Sequence, residues 1–237
     1  MTTQNQFGQP VGDTLTDWQP RSRPQRVILS GRGCLLEPLT TAHAPALFAA
    51  HRLAEDGRNW TWLPREPDNS VEEYRQWLAS VEALNDPLHF AVIDRKSGEP
   101  VGSLALMRID PANGVIEVGH VHFSPLLSRT PMATEAQWLL MRYAFETLGY
   151  RRYEWKCDSL NAPSRRAALR LGFQFEGCFR QAVVVKGRTR DTDWFSIIDK
   201  EWPAVDRALQ NWLAIGNFNA DGSQKRTLES WRQTPEL

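Results

Sequence analysis

The stretch from Val115 to Tyr150 constrains this chain most, because its residue pattern reads as a strand, a tight turn and a helix in immediate succession. Strict alternation over Val115 to Phe123 puts Ile116, Val118, His120 and His122 on one face of the strand and Val115, Glu117, Gly119, Val121 and Phe123 on the other. Pro125 stops the strand. Ala136, Leu139, Leu140, Tyr143 and Leu148 then recur at helical spacing up to Gly149, a residue suited to a helix C-terminus. The helix opens with Thr130 as N-cap and Pro131 at its first position, where a missing N–H costs nothing. Such a start leaves backbone N–H groups unpaired at the positive end of the helix, which is a site for an anion and for phosphate above all.

The elements around this stretch follow from the same rules. Met1 to Gln25 has little periodicity and reads as an extended arm, followed by a folded domain over residues 26–215 and a polar tail over residues 216–237. Within the domain the pattern predicts a short hairpin or first strand over Val27 to Leu29 and Gly33 to Pro38, a helix over Ala44 to Leu53, and a tryptophan-bearing loop. A Ser70-capped helix runs to Leu84 and a three-strand meander follows, ending at Phe123. Beyond the central helix come a strand at Tyr153 to Asp158, a helix at Ala162 to Leu171 closed by Gly172, strands at Phe173 to Val185 and Trp194 to Ile198, and a helix at Ala204 to Leu213. This order predicts a mixed α/β fold with helices on both faces of one sheet.

Composition excludes several function classes. Lys and Arg together number 28, as do Asp and Glu, so no overall field favours nucleic acid or an anionic membrane. No apolar run is long enough to span a bilayer, and the polar first 26 residues lack the apolar core of an export signal, which predicts a cytoplasmic protein. The 3 cysteines Cys34, Cys157 and Cys178 have no metal-ligand spacing and read as reduced thiols, so no metal site is expected.

Three segments together resemble the GNAT superfamily of N-acetyltransferases, and within it the RimJ/RimL-like group. They are IEVGHVHFSP with LLSRTPMATEA, DSLNAPSRRAALRLGFQFEG, and GRTRDTDWFSIIDKEWP. The resemblance covers roughly Arg26 to Leu213. It implies a GNAT-like acyl-CoA N-acyltransferase fold, with a central, mostly antiparallel twisted sheet and splayed central strands, and it implies acetyl-CoA as cofactor. In the family's pyrophosphate loop, Gln or Arg is followed by two residues, Gly, one residue, and Gly or Ala. Here Ser128, Pro131 and Ala133 stand at those positions. Val121, His122 and Phe123 on the strand, and Ser128, Arg129, Thr130, Pro131, Met132, Ala133 and Thr134 in the loop, are the expected cofactor contacts. Backbone N–H groups and the Arg129 guanidinium would carry the binding. The second segment implies that Asn161 meets the pantetheine arm and that Ser164 lies by the thioester. Many members use a tyrosine acid four residues beyond this serine. That position is Ala168, so Ser164 or water must protonate the departing thiolate.

Amine acetylation needs a base, since only a neutral amine attacks a thioester. Glu117 is the leading candidate, at a spacing from Ser128 that the family uses for its general-base glutamate. The alternative reading of Glu117 is a strand carboxylate paired with an arginine. His120 falls on the other face unless the strand carries a bulge, as it does in relatives, and would then serve as a substrate ligand or water relay. The acidic base that some RimL-like enzymes carry further on is replaced by Val183. Trp60, Trp62 and Trp194 are candidate walls of an acceptor site, and the basic hairpin around Lys186 is a further candidate clamp, with Asp191 expected to pair with an arginine. The expected acceptor is an amine-bearing small molecule or a protein N-terminus. A homodimer is left open, with no nucleic acid or membrane partner. A CoA- or protein-binding module without turnover, and an acetyltransferase for an antibiotic or toxin amine, are the alternative functions.

Overall fold

A computed structural model describes residues 3–233. A short hairpin, β1 (Thr3–Gln4) with β2 (Pro10–Val11), precedes the main sheet. The sheet has eight strands: β3 (Leu29–Ser30), β4 (Cys34–Pro38), β5 (Leu88–Asp94), β6 (Pro100–Asp110), β7 (Val115–Phe123), β8 (Arg152–Asp158), β9 (Gln174–Val185) and β10 (Arg188–Ile198). Their spatial order is β3-β4-β5-β6-β7-β8-β10-β9. Every neighbouring pair is antiparallel except β7 and β8, which run parallel. A parallel pair requires a crossover, and α3 (Pro131–Arg142) with a π-helical turn at Tyr143–Thr147 supplies it.

Helices cover both faces, as the residue pattern predicts. On one face α1 (Ala44–Arg52) and α2 (Val71–Glu82) close a smaller core of Leu39, Leu47, Tyr74, Leu78, Ala91 and Ile93. On the other, α3, α4 (Ala162–Leu171) and α5 (Trp202–Leu213) close the larger core, with Leu36, Phe90, Leu104, Ile116, Val118 and Tyr153 from the sheet. Alternation along β5 divides these two sets, Phe90 and Val92 facing α3 while His89, Ala91 and Ile93 face α1 and α2. The buried Glu135 of α3 accepts the N–H groups of Arg32, Gly33 and Cys34 at 2.7, 2.8 and 2.9 Å, and so fastens the β3–β4 hairpin to the helix.

The ends are more structured than their composition suggests. Within the arm, Trp18 donates to Ala112 O at 2.9 Å and Arg21 N–H donates to Pro111 O at 2.9 Å, which pins the segment on the β6–β7 turn. The segment that reads as a polar tail carries α6 (Leu228–Arg232). Leu228 is buried, and Arg232 reaches Leu169 O of α4 at 2.8 Å. Among the described residues no helix is long and apolar enough to cross a membrane.

Candidate active site

Strands β7 and β8 pair from Val115 with Arg152 up to Val118 with Trp155, and no further. Beyond that last pair both strands continue, β7 to Phe123 and β8 to Asp158, so the sheet opens into a wedge at its centre. Three side-chain sets border this opening.

The first lies on β7 and corrects the alternation read from the sequence. Against β6, Ala105 pairs with Gly119 and Ser103 with His122, so His120 and Val121 both stand opposite Leu104 in a bulge. His120 takes the left-handed conformation, φ 48°, that the bulge demands. The bulge exchanges the faces. Val121 and Phe123 pack with Ile116 and Val118 on the α3 side, while His120 and His122 share the α1/α2 side with Glu117. His120 lies 5.0 Å from the His89 ring, centroid to centroid. His122 stacks on His51 of α1 at 3.6 Å and meets Trp60 at 4.3 Å, so its side chain is committed to packing. Burial pushes His51 down to about 4, His89 to about 4 and His122 to about 2, and lowers His120 as well.

Glu117 is buried on the same face. Its Oε2 accepts from Lys156 Nζ at 2.8 Å and pairs with Arg108 Nε at 3.2 Å. Oε1 accepts no hydrogen bond among the described residues and lies on the Gly119 side, 3.8 Å from where a Cβ would stand there. Burial raises the Glu117 carboxyl above its ordinary value, against the opposing pull of Lys156 and Arg108. Lys156 also reaches Glu154 at 2.8 Å and stands 3.7 Å from the Trp194 ring centroid, which places Trp194 on this face.

The second set is at the start of α4. Asn161 caps the helix, its side chain accepting Ser164 N–H at 3.1 Å. Ser164 Oγ accepts from the Trp155 indole at 2.9 Å and touches the Cys157 thiol, whose own pKa burial raises. Trp155 is the last residue of β8 paired with β7, so Ser164, bonded to its indole, stands at the apex of the wedge.

The third set is the loop before α3. Thr130 and Pro131 take the cap and first helical positions as expected. The supply of free N–H groups is smaller than the sequence suggests, because the loop folds on itself. Ser128 N–H goes to Ser124 O at 2.8 Å, Ser128 Oγ to Phe123 O at 3.2 Å, and Thr130 N–H to Leu127 O at 3.2 Å. Ala133 N–H goes back to Thr130. Thr134 is the fourth helical residue, where N–H groups belong to the helix ladder, and its buried hydroxyl accepts from Arg170 at 3.0 Å. Arg129, exposed and left-handed at φ 63°, and Met132 keep N–H groups with no acceptor among the described residues.

The aromatic loop is part core, part wall. Trp60 is 9 % exposed and packed among His51, His122 and Arg65, whereas Trp62 is half-buried and makes no ring contact among the described residues. The hairpin tip closes over this loop, Lys186 donating to Trp60 O at 2.8 Å and pairing with Glu66 at 3.1 Å. Asp191 accepts Gln181 N–H at 2.7 Å and pairs with no arginine among the described residues. Lys156, Glu154, Arg108 and Trp155 were not among the expected site residues. For Lys156, Glu154 and Trp155 the signal is in β8 itself, where Arg152, Glu154, Lys156 and Asp158 alternate with apolar residues in a strand flanked on both sides, which requires a charged face inside the fold; Arg108, on β6, has no such signal.

Comparison with known proteins agrees with this geometry. The model of the acetyltransferase (GNAT) domain family matches residues 34–174, more than half of the chain. A solved GCN5-related N-acetyltransferase from Brucella melitensis superposes with a TM-score of 0.91 at 53% identity, covering 93% of this chain and 100% of that one. An uncharacterized N-acetyltransferase, p20, of Bacillus licheniformis is 32% identical over 143 residues, 57% of this chain and 78% of that protein. Ribosomal-protein-serine acetyltransferase of Escherichia coli is 31% identical over 107 residues, 45% of this chain and 59% of the relative, in line with the RimJ/RimL-like resemblance. With its split central strands and these relatives, the chain belongs to the GNAT family of acetyltransferases and is an acetyl-transferring enzyme.

Proposed function

We propose that this enzyme transfers an acetyl group from acetyl-CoA to a primary amine, on a protein N-terminus or a small molecule, by direct attack in a ternary complex. The observation that carries the reading is the wedge above Val118 and Trp155, with Ser164 at its apex and Glu117 on its α1/α2 side. The residues present fit the cofactor. The N–H groups of Arg129 and Met132, the positive end of a 12-residue helix and the exposed Arg129 guanidinium suit a pyrophosphate. When bound, acetyl-CoA supplies an activated thioester.

The chain's own groups do the rest. Unpaired strand backbone beyond Val118 gives the wedge its hydrogen-bonding edges, which favour charge developing on a carbonyl oxygen. Glu117 Oε1, free of the two cations held on Oε2, takes the amine proton directly or through water. His120, turned to this face by the bulge and kept neutral by burial, lines the acceptor side with Trp194. Ser164 Oγ returns a proton at the apex, one of its two acceptor lone pairs already occupied by the Trp155 indole. The acceptor class that the Escherichia coli relative names, a ribosomal-protein serine, favours a protein N-terminus.

The test is to incubate the purified full chain with acetyl-CoA, a panel of peptides and small amines, and a thiol reagent. Amine-dependent release of CoA is the expected result. No release above background with any amine would overturn the reading in favour of a binding module.

A further inference from the structure

Six charged side chains of alternating sign cross the acceptor face of the sheet from β6 to β9. Arg108 pairs with Glu117 at 3.2 Å, Glu117 with Lys156 at 2.8 Å, Lys156 with Glu154 at 2.8 Å, Glu154 with Arg152 at 2.6 Å, and Arg152 with Glu176. The ends are open, the Arg108 and Glu176 side chains being 60% and 39% exposed, while Glu117 and Lys156 are each 7% exposed. Burial on this scale is costly unless each charge has its partner. Lys156 spends its ammonium on Glu117, on Glu154 and on the face of Trp194. It has no lone pair to offer while charged, so it is neither a base nor a nucleophile here.

We propose that Lys156 is a positioning residue that holds Glu117 ionised and aims its free Oε1 into the acceptor side of the wedge, with Glu154 setting how much of the Lys156 charge Glu117 feels. This inference rests on the reading of Glu117 as the general base. The geometry gives it a direction. Lys156 is the first residue of β8 beyond the last pair with β7, so its ammonium sits where the strands part and fixes Glu117 Oε2 there, which leaves Oε1 on the Gly119 side. Arg108, the only other cation on Glu117 among the described residues, comes from the opposite strand and is mostly exposed, so it offers a weaker, solvent-screened charge. The remaining titratable neighbours are Glu154 on β8 and, along the same face, the neutral His120 and His89. Burial alone pushes the Glu117 carboxyl up, toward the protonated form that is useless as a base.

The test compares Lys156→Met, Lys156→Arg, Glu154→Gln and Glu117→Gln in the full-length protein. Two readouts are used: the pH profile of kcat/KM with the best amine of the panel, and the Glu117 carboxyl titration followed by carbon NMR. Removing the cation in Lys156→Met raises the Glu117 pKa, so the acid limb moves to higher pH by about one unit or more. Removing the competing carboxylate in Glu154→Gln lowers it, so the limb moves the other way, and Lys156→Arg stays near the parent. The limb and the NMR titration move together, and Glu117→Gln abolishes the limb. A ladder that merely ties strands together would lower kcat without moving the limb. The proposal is overturned if the NMR titration shifts while the limb stays, or if neither shifts. An acid limb that survives Glu117→Gln removes the base reading itself, a separate failure from the first. Because the titration needs no turnover, an unmoved Glu117 pKa in Lys156→Met rejects the proposal even without an active amine.

Discussion

Ser164 shows how one side chain can be read for two jobs. Its N–H is capped by Asn161, and its hydroxyl is held by the Trp155 indole, so the Oγ position is fixed at the end of the paired segment. If it returns the proton to sulfur, Ser164→Ala lowers kcat by about 100-fold and leaves the KM for acetyl-CoA unchanged, in steady-state kinetics. A merely structural cap would be kept by Asn161 and cost little. At Gly119 the constraint is space, since a Cβ there would stand 2.3 Å from Met107 Sδ. Gly119→Val is expected to cost about 1–3 kcal/mol in urea unfolding. Both residues are legible in the sequence by type and spacing. The partners of Glu117 were legible only in kind, as an arginine, because Lys156 lies 39 residues away and meets it through parallel pairing that no local pattern encodes.

At the scale of elements, β7 departs most from its pattern. Period-two alternation predicts the strand's ends correctly, Val115 to Phe123, yet it places His120 and His122 on the wrong face because one extra residue shifts the phase. Gly119 beside the bulge is the local signal for it. With His120 at φ 48°, His120→Val forces a β-branched residue into left-handed backbone and is expected to lower stability by about 1–3 kcal/mol. His120→Gly is expected to match or exceed the parent in thermal unfolding. The loop before α3 was legible as a capped helix start, and Thr130→Ala should cost about 1 kcal/mol by the same measurement. How many of its N–H groups stay free was not legible, since the bonds to Ser124 and Leu127 depend on how the loop folds.

For the whole molecule, four histidines, His89 and His122 buried and His51 and His120 half-buried, gather on the face proposed to carry the acceptor side of the site. His51, His89 and His122 have pKa values of about 4, 4 and 2 in the fold, below the ordinary value of 6.5. Above about pH 6.5 both folded and unfolded chains keep them neutral, and their stabilising contribution is complete. As pH falls from there toward 4, the unfolded chain binds protons that the folded chain refuses, so stability falls. The slope approaches about 1.4 kcal/mol per pH unit for each histidine, and urea unfolding between pH 7 and pH 5 measures it. A flat profile across that window would contradict the burial of this cluster. The layered α/β architecture was legible from the order of elements, and the split of β7 from β8 was anticipated through the family resemblance. Composition hid the structure of the ends, where Trp18 on the β6–β7 turn and Leu228 in the core of α5 and α6 give polar segments their anchors.

In the proposed reaction an acetyl group passes to an amine at the wedge between β7 and β8. The decisive experiment is mass spectrometry of the amine panel after incubation with the full chain and acetyl-CoA. The expected result is an acetylated amine in amounts equal to the CoA released, with both lost together when β7 carries Glu117→Gln at neutral pH. CoA release without an acetylated amine, or acetylation undiminished by that substitution, would contradict it.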